Sequence, residues 1–226
     1  MNLNFASIWE NTSDLIPNET AIVCGENSKT WQEYNDIAAK LASGLMDAGL
    51  NTYSKAGLYL HNSNEYLEAQ FAIFKIGGTP INVNYRYKAE ELIYLLDNSD
   101  NEALFYQACY GDQINKIKDS LPKIKIWIEV PDGSDSIVDG CSDYVSLIKN
   151  SSPMDRWERP EDIVYMLYTG GTTGMPKGVM YNQAEFITGM FRTLRAMGYE
   201  LPKDMDKLNE YILDLNTKKE LPVSLV

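Results

Sequence analysis

Apolar positions recur along this chain at two alternating spacings. Tyr34, Ile37, Ala38, Leu41 and Leu45 share one face of a 3.6-residue helix that Gly49 brings to a stop. Thr30 and Glu33 precede that stripe at the spacing of a capping box, in which each side chain accepts from the other residue's backbone N–H. The pattern predicts a core helix from Thr30 to Gly49. Before it, Phe5, Ile8 and Trp9 mark a short opening helix. Ala21-Ile-Val-Cys24 reads as a strand, and Gly25-Glu-Asn-Ser28 as the turn leading back. After it come a strand at 57–60, a helix at 64–76 closed by Gly77-Gly78, and a strand at 79–84. A helix at 89–96, a strand at 103–106, a helix at 113–120 and a strand at 124–130 continue the alternation. Strands and helices that alternate at this spacing predict an α/β fold with a parallel sheet and right-handed crossovers. Residues 1–150 form the expected first α/β unit. The polar, proline-containing stretch 151–162 is a linker-like excursion, and 163–226 form the remainder.

The excursion leads into Ile163-Val-Tyr-Met-Leu-Tyr168, an apolar run that predicts a strand buried on both faces. It opens directly into Tyr168-Thr-Gly-Gly-Thr-Thr-Gly-Met-Pro-Lys-Gly178. Gly170, Gly171 and Gly174 let backbone N–H groups approach a ligand closely. Thr169, Thr172 and Thr173 add hydroxyl donors, and Lys177 adds a full positive charge. A concave run of amides with hydroxyls and one ammonium suits a polyphosphate. The Walker pattern fails because Pro176 precedes the lysine and Gly178 follows it. A dinucleotide fingerprint fails too: its loop opens into a helix, whereas Pro176, Gly178 and the extended-looking Val179-Met-Tyr181 oppose one.

This stretch resembles the phosphate-binding signature of the adenylate-forming (AMP-binding) superfamily, which includes acyl-CoA synthetases, the adenylation domains of peptide synthetases and beetle luciferases. The usual form is Tyr-Thr-Ser-Gly-Thr-Thr-Gly-x-Pro-Lys-Gly. Gly170 stands where Ser is usual, which removes one hydroxyl. The blocks Glu65-Tyr-Leu-Glu-Ala69, Lys75-Ile-Gly-Gly78 and Asn82-Val-Asn-Tyr-Arg-Tyr87 also resemble the N-terminal region of acyl-CoA synthetases. The resemblance implies an N-terminal subdomain of such an enzyme. It further implies ATP and coenzyme A as substrates, Mg²⁺ on the phosphates, and Thr169, Gly170, Gly171, Thr172, Thr173, Gly174 and Lys177 as the ATP phosphate-binding residues. The loop version looks most like bacterial fatty-acyl or steroid side-chain acyl-CoA synthetases, so the implied partner is a fatty or steroid side-chain acid. No proton-transferring catalytic residue is assigned within these 226 residues. A non-catalytic nucleotide-binding half-protein and a phosphotransferase with an atypical loop are the competing expectations.

Composition narrows the picture further. A net charge of -12 argues against nucleic acid or an anionic membrane as a partner, since both require a basic face. Cys24, Cys109 and Cys141 are too few and too scattered for a disulfide framework or a zinc site. No signal peptide and no apolar run of transmembrane length is present, so a cytoplasmic protein is expected. His61, the one histidine, has no serine or carboxylate constellation beside it and reads as a turn or surface residue. Arg86 reads as a local contact.

Beyond the loop, Asn182 and Glu185 form a second capping pair. Phe186, Ile187, Met190, Phe191, Leu194 and Met197 give a wide apolar stripe, and Met205, Leu208, Ile212 and Leu215 predict a helix at 203–215. Leu221-Pro-Val-Ser-Leu-Val226 reads as a strand that stops without a turn, so a longer parent chain is expected. In the family, the acyl-pocket histidine, the acidic residues for ribose and Mg²⁺, and the late lysine follow such a point.

Overall fold

Asn4 starts the first helix by accepting from the backbone N–H of Ser7 at 2.9 Å, and α1 runs from Phe5–Leu15. The computed structural model describes residues 3–135, 138–169, 175–199, 207–218 and 224–225. Strands β1 (Thr20–Cys24) and β2 (Asn27–Thr30) form an antiparallel hairpin. The chain then enters α2 (Trp31–Asp47) through the expected capping box: Thr30 N donates to Glu33 Oε2 at 2.8 Å, and Glu33 N donates to Thr30 Oγ1 at 3.2 Å.

The alternating segment becomes β3 (Lys55–Tyr59), α3 (Asn64–Lys75), β4 (Thr79–Asn82), α4 (Ala89–Asn98), β5 (Asn101–Gln107), α5 (Gly111–Ile117) and β6 (Ile126–Val130). Two further elements were not anticipated, β7 (Ser142–Asp143) and α6 (Tyr144–Asn150). The sheet has the order β4-β3-β5-β6-β7, and every pairing in it is parallel. Side chains alternate across it. Leu58 and Phe105 join Ala38, Leu41, Leu45 and Phe71 on the α2–α3 side, while Tyr59, Leu104 and Tyr106 join Leu92, Leu96 and Ile114 on the α4–α5 side. Both faces are therefore covered, as a parallel sheet requires.

The α3-to-β4 turn is set by close approach. A Cβ on Gly78 would lie 2.8 Å from the Ser54 carbonyl oxygen and 3.1 Å from that of Ile73. These are backbone atoms and cannot rotate away. Gly78→Ala is therefore expected to destabilise the fold by about 1–3 kcal/mol, to be read as a lowered urea midpoint at unchanged slope.

The remaining elements are β8 (Val164–Thr169), β9 (Lys177–Asn182), α7 (Gln183–Ala196), α8 (Leu208–Lys218) and β10 (Ser224–Leu225). β10 pairs in parallel with β1. One expectation is corrected here. The apolar strand at 163–168 is only partly buried along most of its length and pairs antiparallel with β9 as a two-stranded ribbon. Its outer side carries β9, which is exposed, so the second face is not sealed. The described part of the last helix begins at Leu208, and the expected start at Lys203 falls in residues 200–206, Met205 among them, which lie outside the described residues. Leu208 and Ile212 pack against Ile16.

Residues 151–160 contain no regular secondary structure, yet they are firmly fixed. Arg159 is 2% exposed and donates through Nη2 and Nη1 to Glu10 Oε1 and Oε2 at 2.7 and 3.0 Å. Lys75 Nζ reaches the same Glu10 Oε1 at 2.9 Å and Asn35 Oδ1 at 2.8 Å. Trp157 Nε1 and Arg159 Nε both donate to the Lys75 carbonyl, and Arg156 forms a two-pronged contact with Asp14. Burial pushes the Glu10 carboxyl upward, but the Arg159 guanidinium and the Lys75 ammonium outweigh it and hold the group below its ordinary value.

Candidate functional site

The candidate loop is the tip of the β8–β9 ribbon, and the register places Thr169 directly opposite Lys177. Gly170, Gly171, Thr172, Thr173 and Gly174 lie outside the described residues. Thr169 and Lys177, which bracket them, are positioned. Thr169 Oγ1 donates to the Lys177 carbonyl at 3.4 Å, closing the neck of the loop. The Lys177 side chain is exposed and has no ion-pair partner among the described residues.

Three sets of contacts hold the ribbon. At its base, Gln183 N donates to the Ile163 carbonyl, and Gln183 Nε2 and Thr79 Oγ1 reach the Val164 carbonyl. Near its tip, α4 supplies two partners. Tyr94 Oη donates to the Pro176 carbonyl at 3.3 Å, and Asn98 Oδ1 accepts from Tyr168 Oη at 2.9 Å. Between the strands, a Cβ on Gly178 would sit 3.0 Å from the Tyr168 ring and 3.1 Å from Met166 Sδ. A side chain at this position would require the Tyr168 ring or Met166 to give by a few tenths of an ångström. No helix N-terminus continues from the ribbon's tip, because Lys177 opens a strand.

A cleft of about 430 Å³ borders this ribbon at the carboxyl ends of β3 and β4. Leu60, Asn62, Asn82, Asn84 and Tyr85 line it, with Tyr168 on the ribbon side. Ligands of open α/β sheets bind at such strand ends. Its position could be anticipated from the strand pattern, but its lining could not. His61 is exposed, as expected, and its Nε2 lies 2.7 Å from Tyr110 Oη. Arg86 is a local contact: its guanidinium stands over the Tyr85 ring at 5.4 Å, and its backbone N–H donates to Asn84 Oδ1. The three cysteines are free thiols. Burial pushes the Cys109 thiol up to about 11, with a contribution from Asp132, so it is not an activated nucleophile.

The family described as "AMP-binding enzyme" matches residues 9–209 of this chain. The chain belongs to that family. The medium/long-chain-fatty-acid–CoA/3-oxocholest-4-en-26-oate–CoA ligase of Mycobacterium tuberculosis is 38% identical over 192 residues, covering 84% of this chain and 35% of the relative. The 3-oxocholest-4-en-26-oate–CoA ligase of Rhodococcus rhodochrous is 38% identical over 188 residues, covering 82% and 34%. This chain thus spans about a third of the length of these AMP-binding relatives. Among solved structures, an anthranilate CoA ligase in complex with anthranoyl-AMP superposes with a TM-score of 0.76 at 20% identity, over 84% of this chain and 36% of that one. The acetoacetyl-CoA synthetase of Streptomyces lividans gives 0.76 at 23% identity, over 85% and 32%. These likenesses show that the α/β unit has the fold of the N-terminal portion of adenylate-forming CoA ligases. Among the described residues, no helix is long and apolar enough to cross a membrane.

Proposed function

We propose that this chain is the N-terminal part of an AMP-forming acyl-CoA synthetase and that the β8–β9 ribbon is its nucleotide-phosphate grip. The carrying observation is the pairing of Thr169 with an exposed, unneutralised Lys177 at the mouth of a Gly/Thr loop in a family of AMP-binding enzymes. A triphosphate fits what is present: a hydroxyl and an ammonium bracket the loop, and Thr169 Oγ1 bonds the Lys177 carbonyl across its neck.

The chemistry follows from the leaving group. A thiol cannot displace oxide from a carboxylate. The carboxylate oxygen instead attacks the α-phosphorus of ATP, the bond to the β-phosphate oxygen breaks, and pyrophosphate departs. The sulfur of coenzyme A then attacks the acyl carbon, and AMP leaves as the thioester forms. Thr169, Gly170, Gly171, Thr172, Thr173, Gly174 and Lys177 hold the β- and γ-phosphates and stabilise charge growing on the departing pyrophosphate. They position and neutralise without moving a proton. Mg²⁺ arrives with the nucleotide, and no described residue is assigned to it. The acid is a medium- or long-chain fatty acid or a steroid side-chain acid, a reading supported by the names of the two relatives. The division into 1–150, 151–162 and 163–226, and a cytoplasmic location, belong to this same proposal.

The test is carboxylate-dependent exchange of labelled pyrophosphate into ATP by a ligase that contains this chain. AMP and pyrophosphate are the expected products, and the isolated 226 residues are expected to form no adenylate. Formation of ADP would replace this reading with phosphoryl transfer, and absence of exchange with every fatty and steroid acid tried would leave a binding protein.

A further inference from the structure

Helix α4 faces in two directions. Leu92, Leu95 and Leu96 are buried and pack in one cluster with Leu104 of the sheet and Met166 of the ribbon. Tyr94 and Asn98 are spaced so that they share one face a turn apart, and both reach the loop end of the β8–β9 ribbon. They engage opposite arms. Asn98 Oδ1 accepts from Tyr168 Oη on the arm that enters the loop, and Tyr94 Oη donates to the Pro176 carbonyl on the arm that leaves it. The helix is a stiff support for both contacts. Its last turn is tied by Lys123, which pairs with Asp97 and Asp100 at 3.0 and 2.8 Å, and the Ser99 hydroxyl donates back to the Leu95 carbonyl at 2.6 Å.

The contact with Pro176 bears directly on the residue that follows it. A proline ring fixes φ near about −65°, and Pro176 is buried. Because the peptide unit is planar, holding the Pro176 carbonyl also fixes the plane that joins it to Lys177. The Lys177 carbonyl accepts from Thr169 Oγ1, which fixes the next plane. The backbone on both sides of Lys177 is thus set by hydrogen bonds, while its side chain stays exposed and without an ion pair among the described residues. The base of the ribbon is already stitched by Gln183 and Thr79. The α4 pair adds control at the loop end, where the charge is.

We infer, resting on the phosphate-grip reading above, that Tyr94 and Asn98 are positioning residues for adenylate formation: Tyr94 sets the place of Lys177 against the departing pyrophosphate, and Asn98 holds the opposing arm at Tyr168. They act through the backbone of the loop and not on the reacting atoms. A donor stabilises developing charge only where it is preorganised, and a misplacement of about 1 Å caused far from the chemistry can cost about a hundredfold in rate.

The experiment is a double-mutant cycle in carboxylate-dependent pyrophosphate exchange, using a ligase that contains this chain and the variants Tyr94→Phe, Lys177→Ala and both together. Tyr94→Phe keeps the ring and removes the hydroxyl. It is expected to slow exchange about tenfold with the KM for the acid unchanged. In the Lys177→Ala background the same change is expected to slow exchange by less than about twofold, because no ammonium remains to be placed. A general folding defect would instead slow both backgrounds by the same factor. Asn98→Ala is expected to slow exchange severalfold, and Asn98→Asp, which keeps an acceptor oxygen, to restore it. Equal factors in the two backgrounds, or an unchanged rate for Tyr94→Phe where Lys177→Ala is slow, overturn the inference and leave the phosphate grip standing. An Asn98→Asp variant as slow as Asn98→Ala overturns the part assigned to Asn98. An unchanged rate for Lys177→Ala removes the grip itself, and the positioning roles with it.

Discussion

Replacing Lys177 by alanine is expected to slow adenylate formation about a hundredfold or more in a ligase that contains this chain, the usual cost of removing one preorganised donor from a site of developing negative charge. The melting temperature is expected to stay at the parent value, because the side chain is exposed and holds no ion pair among the described residues. The two readouts together are decisive. A slow and unstable variant would make the lysine a folding residue, and a fast, stable one would remove it from the phosphate grip. The hydroxyl opposite, Thr169, also contacts the ribbon's own backbone, so its removal would mix the two effects. Lys177 is the cleaner probe.

The second large effect is on stability. Glu10 is 5% exposed and neutralises two cations that are themselves buried, Lys75 and Arg159. Glu10→Ala would leave both without their carboxylate in a poorly solvated site. Breaking a buried pair from one side typically costs about 3–5 kcal/mol, and chemical denaturation should register a loss of that size. The sign with pH follows from the direction of the shift. Glu10 ionises below the ordinary 4.5 in the folded chain, so its contribution is present above the unfolded value and disappears as pH falls through the lowered one. Glu10→Gln, which keeps the shape and removes the charge, should therefore differ most from the parent near neutrality and converge with it in acid. A gap that stays constant down to acid pH would assign the effect to packing.

These two residues differ in how far the sequence reveals them. Lys177 belongs to a contiguous stretch whose composition states its chemistry, and the Thr30–Glu33 box is equally local. Local periodicity likewise exposes α2 and α3 and the strands between them. Glu10 meets Arg159 across 149 positions, and nothing in either neighbourhood announces the other. Strand direction is hidden for a related reason: an apolar run such as Val164–Thr169 looks the same whether its neighbour runs parallel or antiparallel. β7 and α6 escaped because a two-residue strand and a seven-residue helix contain too little repeat to stand out. The asparagine-lined cleft is assembled from the ends of separate strands, so only its general position follows from the alternation.

The opening helix has a consequence for how the chain is made. Phe5 stacks on Phe74 and tilts against Tyr165 and Phe186, and its backbone N–H donates to Gln183 across a separation of 178 residues. The helix thus completes its contacts only after the β8–β9 ribbon and the start of α7 have been synthesised. Contacts this distant in sequence slow folding, because a long loop must close before they form. The aromatic side of α1 therefore stays partly unmatched until those segments are made, and apolar surface left exposed in that interval is prone to association.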